Sequence, residues 1–418
     1  MSSLNSSSIN YRGVLYSLPK EHKNGFYRSF SPEETLKRIN PYFKAIGLTR
    51  LSDITGLDRI GIPVIASFRP NAKTITTSAG KGITTEAAMA SAAMESIEIF
   101  HAENINIPII TSSYKKLKDR YNAIEINGLA LTKNSIFNIN KPEKWILGWD
   151  IVNECEVAVP LLQVSLDYAY GLSGLTISFQ MGSNGLASGN HFLEALCSAL
   201  FEIIERDAIA CISAANTKSN YPLKIIDPKS IGFDSVRKLI GRFESAHIRP
   251  VIFDYTVDTD VPVFVTYIYD LKFRHMGVYK GAGAHLDPEI ALLRSLTEAA
   301  QSRLLVIAGS RDEIFRHIFS AIKTYDNSAN IRFFKNPCQT MSTLDKSNES
   351  TDTIEGDIQL CIKNLKLAGL NRIIVFDITR PDMEISVVRV VVPGAEGYMF
   401  RHYTPGYRAM NFACKEGV

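Results

Sequence analysis

The chain has 418 residues, with 46 Lys and Arg against 43 Asp and Glu and a net charge of +3. That near-balance leaves no basic footprint for nucleic acid, and 45% hydrophobic with 21% charged residues is ordinary for a globular protein with a large core. The polar start MSSLNSSSINYRG lacks the apolar centre of a signal peptide, and no run of about 18 apolar residues, the length of a membrane span, occurs.

In chain order, the first segment (about residues 11–50) ends in SPEETLKRINPYFKAIG. Ser31 suits an N-cap, Pro32 the first helical position, and Glu33 and Glu34 the first turn. RIGIPVIASFRP and TITTSAGKG read as strands around a turn, and TTEAAMASAAMESIEIFHAE as an alanine-rich helix with an apolar stripe. AVPLLQVSLDY, PVIFDYTV and VPVFVTYIYDL read as strands. SNGLASGN leads into the helix NHFLEALCSALFEIIERD, and GAGAH into a third helix, which Asp287 caps and Pro288 and Glu289 open. Residues 325–356, rich in Ser, Asn, Thr, Asp and Lys, read as a surface loop or insertion. DIQLCIKNLKLAGL is then a helix stopping near Gly369, RIIVFDI and ISVVRVVV are buried strands, and PGAEG closes them.

No fixed-period repeat and no linker divides this order, so one composite domain over residues 1–418 is expected. Strands follow one another directly as well as alternating with helices. That favours an α+β architecture of mixed or antiparallel sheets packed with helices over a doubly wound sheet. The six cysteines, among them Cys197 and Cys211 in apolar helical surroundings, form no C-x-x-C pair. Neither a structural zinc site nor a disulfide framework is expected, those two cysteines read as core residues, and the cytoplasm is the expected location. The eight histidines show no metal-ligand spacing.

The helices carry acids in the wrong company for a wet face. At about 100° per residue, Asn190, Glu194 and Glu205 fall within roughly 60° of one another, and Glu202 lies about 80° from Glu194, all among leucines and isoleucines. Ser91, Glu95 and Glu98 share a face of the earlier helix, and Arg294, Glu298 and Gln301 a stripe of the later one. Any one pair reads most simply as a solvated surface. Five acids from mostly apolar segments do not, because a buried carboxylate must be paired, hydrogen-bonded or metal-bound. Arg206 and Arg294 neutralise two at most. Magnesium satisfies the remainder, favouring hard carboxylate oxygens together with substrate phosphates, and an elongated slot so lined suits a nucleoside triphosphate. The glycine-rich turns support this by letting backbone amides approach phosphates, although no Walker motif occurs and the lysine of SAGKG is equally explained by a hairpin turn.

In TGLDRIGIPV, SAGKG with SAAMESIE, SNGLASGN with EALCSALFEIIERDA, GAGAHLDPEIALLRSLTEAAQSR and VVRVVVPGAEG, the sequence resembles the YcaO family of ATP-dependent enzymes that activate peptide backbone amides. The matches keep the family's order from about residue 20 to 410. The resemblance implies a YcaO-type composite α+β domain with ATP and Mg2+ as cofactors. Glu95, Glu98, Glu194, Glu202 and Glu205 match acids that hold magnesium or line the nucleotide site. Ser91, Asn190, Arg206, Arg294 and Glu298 match their neighbours at nucleotide, phosphates or metal, and Arg28 in GFYRSFSPEET aligns loosely with a basic residue near the phosphates. One departure is Ile99, which stands where the family often has arginine.

Members share O-phosphorylation of the amide and differ in the attacker. A neighbouring Cys, Ser or Thr gives an azoline, sulfide gives a thioamide with a TfuA-type partner, and an amine gives an amidine. The ending TPGYRAMNFACKEGV has no P-x-P-x-P tail, and RIGIPV and VVRVVVPGAEG look like the TfuA-paired members. Thioamide formation on a ribosomally made peptide is therefore expected, with azoline formation as the alternative and a nucleotide-binding scaffold as the non-enzymatic one. No leader-gripping winged-helix segment is read at the N-terminus, so a TfuA-like or leader-binding partner is expected, with a homodimer as the family's common form.

Overall fold

The computed structural model describes residues 8–21, 27–132, 135–169, 178–219, 221–273, 275–311, 340–397 and 404–415. The chain opens with β1 (Ile9–Tyr11), β2 (Val14–Tyr16), α1 (Pro32–Ile39), β3 (Arg50–Asp53), β4 (Val64–Phe68), β5 (Thr77–Lys81) and α2 (Thr85–Glu103). It continues through β6 (Ile110–Ser113), α3 (Tyr114–Lys118), β7 (Pro142–Asp150), β8 (Cys155–Pro160), β9 (Leu186–Gly189) and α4 (Phe192–Ser219). Next come β10 (Lys224–Ile226), α5 (Asp234–Ser245), β11 (Ile248–Asp254), β12 (Val263–Asp270), β13 (Val278–Ala284) and α6 (Pro288–Ala308). Last are β14 (Thr340–Ser342), α7 (Ile354–Leu367), β15 (Ile374–Asp377), β16 (Ser386–Val391) and α8 (Tyr407–Lys415). The protein is α+β, and among the described residues the strand pairings are antiparallel apart from β10 with β14.

Two compact units share these elements, each assembled from separated stretches. The first takes Met1–Phe30, Ile97–Cys211 and Ser350–Phe412, and the second Ser31–Ser96, Ile212–Glu349 and Ala413–Val418. The chain passes between units five times, three of them inside α2, α4 and α8 and two in the segments before α1 and before α7.

The second unit holds the sheet β3-β4-β5 and the sheet β13-β12-β11-β10-β14. Its first helix starts where its residues dictate: the Glu34 amide donates to Ser31 Oγ at 3.2 Å, and the Ser31 amide donates back to the Glu34 carboxylate at 2.8 Å, a reciprocal capping box. The apolar face of α5 buries Val236, Leu239, Ile240 and Phe243 in one core with Leu292, Leu293 and Leu296 of α6. That core is closed by a charge network. Arg303, 1% exposed at its side chain, pairs with Asp58 at 2.7 Å and Asp270 at 3.1 Å, and Arg59 reaches Asp270 at 2.6 Å.

Glycines set the strand-to-helix distance. On β13, a Cβ at Gly281 would lie 2.2 Å from the Ala299 nitrogen, and one at Gly283 2.2 Å from the Ala291 carbonyl, both on α6. On β5, a Cβ at Gly80 would lie 2.1 Å from the Ala92 nitrogen of α2. Because the obstacle is helix backbone, no rotamer relieves it. Gly281→Ala is expected to destabilise the protein by about 3 kcal/mol, the upper end of overpacking costs, read as a fall in the urea midpoint.

The first unit carries the sheet β6-β7-β15-β16-β9, with β8 paired to β7, and the hairpin β1–β2. Residues 17–20 lie against the start of α7. Ser17 Oγ and the Leu18 amide donate to Glu355 at 2.8 and 2.9 Å, and Lys20 pairs with Asp357 at 2.5 Å, each side chain 1% exposed. Removing one partner of such a pair strands the other without water. Asp357→Ala is expected to cost about 3–5 kcal/mol in unfolding free energy, checked by chemical denaturation, with Asp357→Asn milder.

Two expectations need revision. AVPLLQVSLDY is a strand only to Pro160, after which Leu161–Gln163 form a 3-10 turn. The helix around DIQLCIKNLKL begins earlier, at Ile354, capped by Thr353, whose hydroxyl accepts from the Gly356 amide. Residues 325–339 of the expected loop lie outside the described residues. Among the described residues no helix is long and apolar enough to cross a membrane. Cys197 and Cys211 are buried, and no disulfide joins cysteines among the described residues.

Candidate functional site

In the second unit, β5, α2 and α6 bring Glu95, Glu298, Lys81 and Gln301 together. The close approach that Gly80 permits puts the Ala79 amide within 3.2 Å of Glu95 Oε2, while Gln301 Nε2 donates to the Ala79 carbonyl at 2.5 Å. On β13 the Ala282 amide donates to Glu298 Oε1 at 3.3 Å, and Glu298 Oε2 pairs with Lys81. Burial raises the Glu298 carboxyl, but Lys81 and then Arg294 outweigh it and hold the group below its ordinary value. Arg294 carries a buried Nε with no hydrogen-bond partner among the described residues. Ser91, on the same helix as Glu95, is exposed.

In the first unit, Glu194 stands in the first turn of α4, 1% exposed. Its Oε1 accepts from the Ser29 amide and hydroxyl at 2.5 and 2.6 Å, and its Oε2 from the Asn190 amide at 2.9 Å. One turn on, Ser198 Oγ accepts from Arg28 Nη1 at 3.1 Å. The residue aligned most loosely in the sequence is therefore held against the same helix. Glu98 Oε1 accepts from the Ser188 amide at 2.9 Å and its hydroxyl at 2.7 Å. Glu202 pairs with Arg206 at 2.5 Å, one turn along α4, and Arg206 Nη2 reaches Ser183 Oγ at 3.4 Å. Glu205 is buried at 8% exposure.

The glycines also set how closely strands approach helices. Gly80, Gly281 and Gly283 lie inside strands facing helix backbone, and a Cβ on Gly189 would meet the Ala195 nitrogen of α4 at 2.6 Å. Their effect is to press strand amides onto helix carboxylates. Lys81 was also undervalued: it ends β5 and neutralises Glu298 rather than filling a hairpin turn. Its signal was a cation inside an otherwise small-residue strand, TSAGK.

Residues 79–396 match the family model described as YcaO cyclodehydratase, ATP- and Mg2+-binding. The chain belongs to the YcaO family. It is 33% identical over 397 residues to an uncharacterised protein in the tfuA 3′ region of Rhizobium leguminosarum bv. trifolii, covering 92% of each chain. It is 34% identical over 370 residues to an uncharacterised protein of Methanothermobacter thermautotrophicus, covering 87% of this chain and 94% of that one. Among solved structures, YcaO from Methanopyrus kandleri bound with AMPPCP and Mg2+ matches with a TM-score of 0.72 at 23% identity, over 93% of this chain and 99% of that one. A heterocyclase in complex with substrate and cofactor matches with a TM-score of 0.80 at 22% identity, and the match covers 97% of this chain but 56% of that longer one. These structural likenesses concern the YcaO fold.

YcaO proteins bind ATP and Mg2+ and use ATP to modify peptides. The residues present fit those groups. Among the described residues no three His, Cys, Asp or Glu side chains gather as a metal site, but magnesium asks for less, taking one or two carboxylates and completing its shell with phosphate oxygens and water. Glu95, Glu98 and Glu202 offer such oxygens on half-buried side chains. Arg206 in the first unit, and Lys81 and the buried Nε of Arg294 in the second, are donors of the kind that pair with phosphate oxygens.

Proposed function

We propose that this YcaO protein uses Mg2+ and ATP to phosphorylate the oxygen of a peptide backbone amide, and that sulfide then displaces the phosphate to leave a thioamide. Glu95, Glu98, Glu194, Glu202 and Glu205 serve magnesium or line the nucleotide site. Ser91, Asn190, Arg28, Arg206, Arg294 and Glu298 contact nucleotide, phosphates or metal. Magnesium, when bound, offsets charge on the phosphates. In the reaction the amide oxygen attacks the γ-phosphorus and ADP leaves. Sulfide then adds to the imidate carbon, and phosphate departs with the former amide oxygen. The protein's part is positioning and charge neutralisation rather than covalent catalysis.

The observation that carries the amide-activating reading is that each unit holds helix carboxylates by strand amides with a cation on the same elements: Glu95 and Glu298 with Lys81 in the second unit, Glu98 and Glu202 with Arg206 in the first. The sulfide branch is supported by likeness to a relative in a tfuA region, and it takes a TfuA-like protein as partner and a homodimer as the working form. Azoline formation is the second reading, favoured by the family's description as a cyclodehydratase. Intact mass of the peptide after incubation with ATP, sulfide and partner decides between them. Replacement of one oxygen by sulfur is the expected product, and loss of one water without sulfur uptake establishes the azoline branch instead.

A further inference from the structure

The first unit contains a cavity of about 80 Å³ with Gln163, Gly182, Asn184, Ile203, Arg206 and Arg389 in its wall. Arg389 comes from β16, where it interrupts a run of valines, and is 4% exposed. Its Nε donates to the Gln163 carbonyl at 3.0 Å and its Nη2 to the Gly182 carbonyl at 2.6 Å. Those two bonds tie the guanidinium across the cavity wall but neutralise nothing, and among the described residues no carboxylate forms an ion pair with it. Its Nη1 is buried and has no partner there. Asn184, on the same wall, has a buried Oδ1 likewise without one.

A buried cation with an idle donor, and a half-buried amide whose buried oxygen is an idle acceptor, are each costly when unsatisfied. Together they specify what relieves both. A phosphate or carboxylate satisfies the arginine and offers Asn184 nothing, whereas a peptide unit presents one acceptor oxygen and one N–H. We propose that this cavity seats a backbone amide of the substrate peptide, with Arg389 Nη1 donating to its carbonyl oxygen and Asn184 Oδ1 accepting from its N–H. Arg206 in the same wall then stands beside the peptide as well as among the residues assigned to the nucleotide. Burial pushes the Arg389 guanidinium down to about 10, against a pull upward from Glu202, so it keeps its charge at neutral pH. Both residues act as positioning groups. The assignment rests on the amide-activating function above.

The test uses the full chain and two small probes, N-methylacetamide and N,N-dimethylacetamide, followed by saturation-transfer NMR at tens of millimolar. The wild type is expected to bind the first about threefold to tenfold more tightly, the worth of one hydrogen bond. Asn184→Ala is expected to abolish that preference, and Arg389→Met to weaken both probes. Equal binding of the two probes by wild type, no binding of either, or a preference that survives Asn184→Ala overturns the proposal. Should Arg389→Met fail to fold, the Asn184 arm decides alone. ATP turnover with peptide and partner, measured on the same wild-type preparation, reports on the amide-activating function separately, because the probe readout requires no turnover.

Discussion

Replacing Glu95 or Glu202 by glutamine is expected to lower ATP turnover about 100-fold or more while leaving the thermal transition close to wild type, the range seen when one electrostatic contact to a transition state is lost. Glutamine keeps the volume of both side chains. At Glu95 its amide oxygen still accepts from the Ala79 amide. At Glu202 the partner Arg206 is partly exposed, so losing the charge leaves it hydrated rather than stranded. What disappears in each case is one unit of negative charge at a proposed magnesium ligand. Normal turnover in both variants, with peptide and partner present, removes magnesium binding from these acids, whereas absence of turnover in the wild type itself favours a nucleotide-binding scaffold that performs no chemistry.

The second large effect is one of stability. Arg303→Ala takes from nearly buried Asp58 the cation it pairs with and leaves fully buried Asp270 with Arg59 alone, and is expected to cost about 3–5 kcal/mol. Differential scanning calorimetry checks it, with Arg303→Lys recovering part of the loss. The same network sets an acid limit. Burial raises the Asp270 carboxyl, but the Phe273 amide, Arg59, the Lys272 amide and the charge of Arg303 together hold it below its ordinary 3.8. A folded-state value below the unfolded one means that the stabilisation is complete above about pH 4 and fades as pH falls through the depressed value. Asp270→Asn is therefore expected to flatten the acid limb of the stability–pH curve. An unchanged limb assigns it to other carboxylates.

Much of the fold was legible because its signals are local. Ser31 and Asp287 cap helices where their side chains accept backbone amides, and Pro288 stands at the first helical position. The strand pair β4–β5 and the strands β15 and β16 were readable as apolar runs closed by turn residues. The helix α5 was missed. Phe233 at its N-cap supplies no side-chain acceptor to mark the start, although Val236, Leu239, Ile240 and Phe243 stand at i, i+3, i+4 and i+7, a helical spacing that the sequence does carry. AVPLLQVSLDY looked like one strand because composition carries no record of where pairing with β7 stops.

Within the candidate site, the helix acids were visible from their spacing and from the family resemblance, while their partners were not. Ser29 and Ser188 reach Glu194 and Glu98 across 165 and 90 residues of chain, separations that no local pattern reveals. Arg389 was in plain view within VVRVVV, but alternation along a strand cannot say that a cation on the buried side lacks a counter-ion.

The way the polypeptide alternates between its two bodies has a consequence for biogenesis. Neither body is encoded contiguously: the first needs Ser350–Phe412 to join segments that begin at the amino end. During synthesis no emerging stretch completes it until the segment Ser350–Phe412 has been translated. Its closure depends on contacts far apart along the chain, which are slow to form and leave apolar surface uncovered meanwhile. Ribosome-bound fragments shorter than about residue 400 should accordingly remain protease-sensitive and chaperone-associated, and separate expression of either body should yield insoluble material.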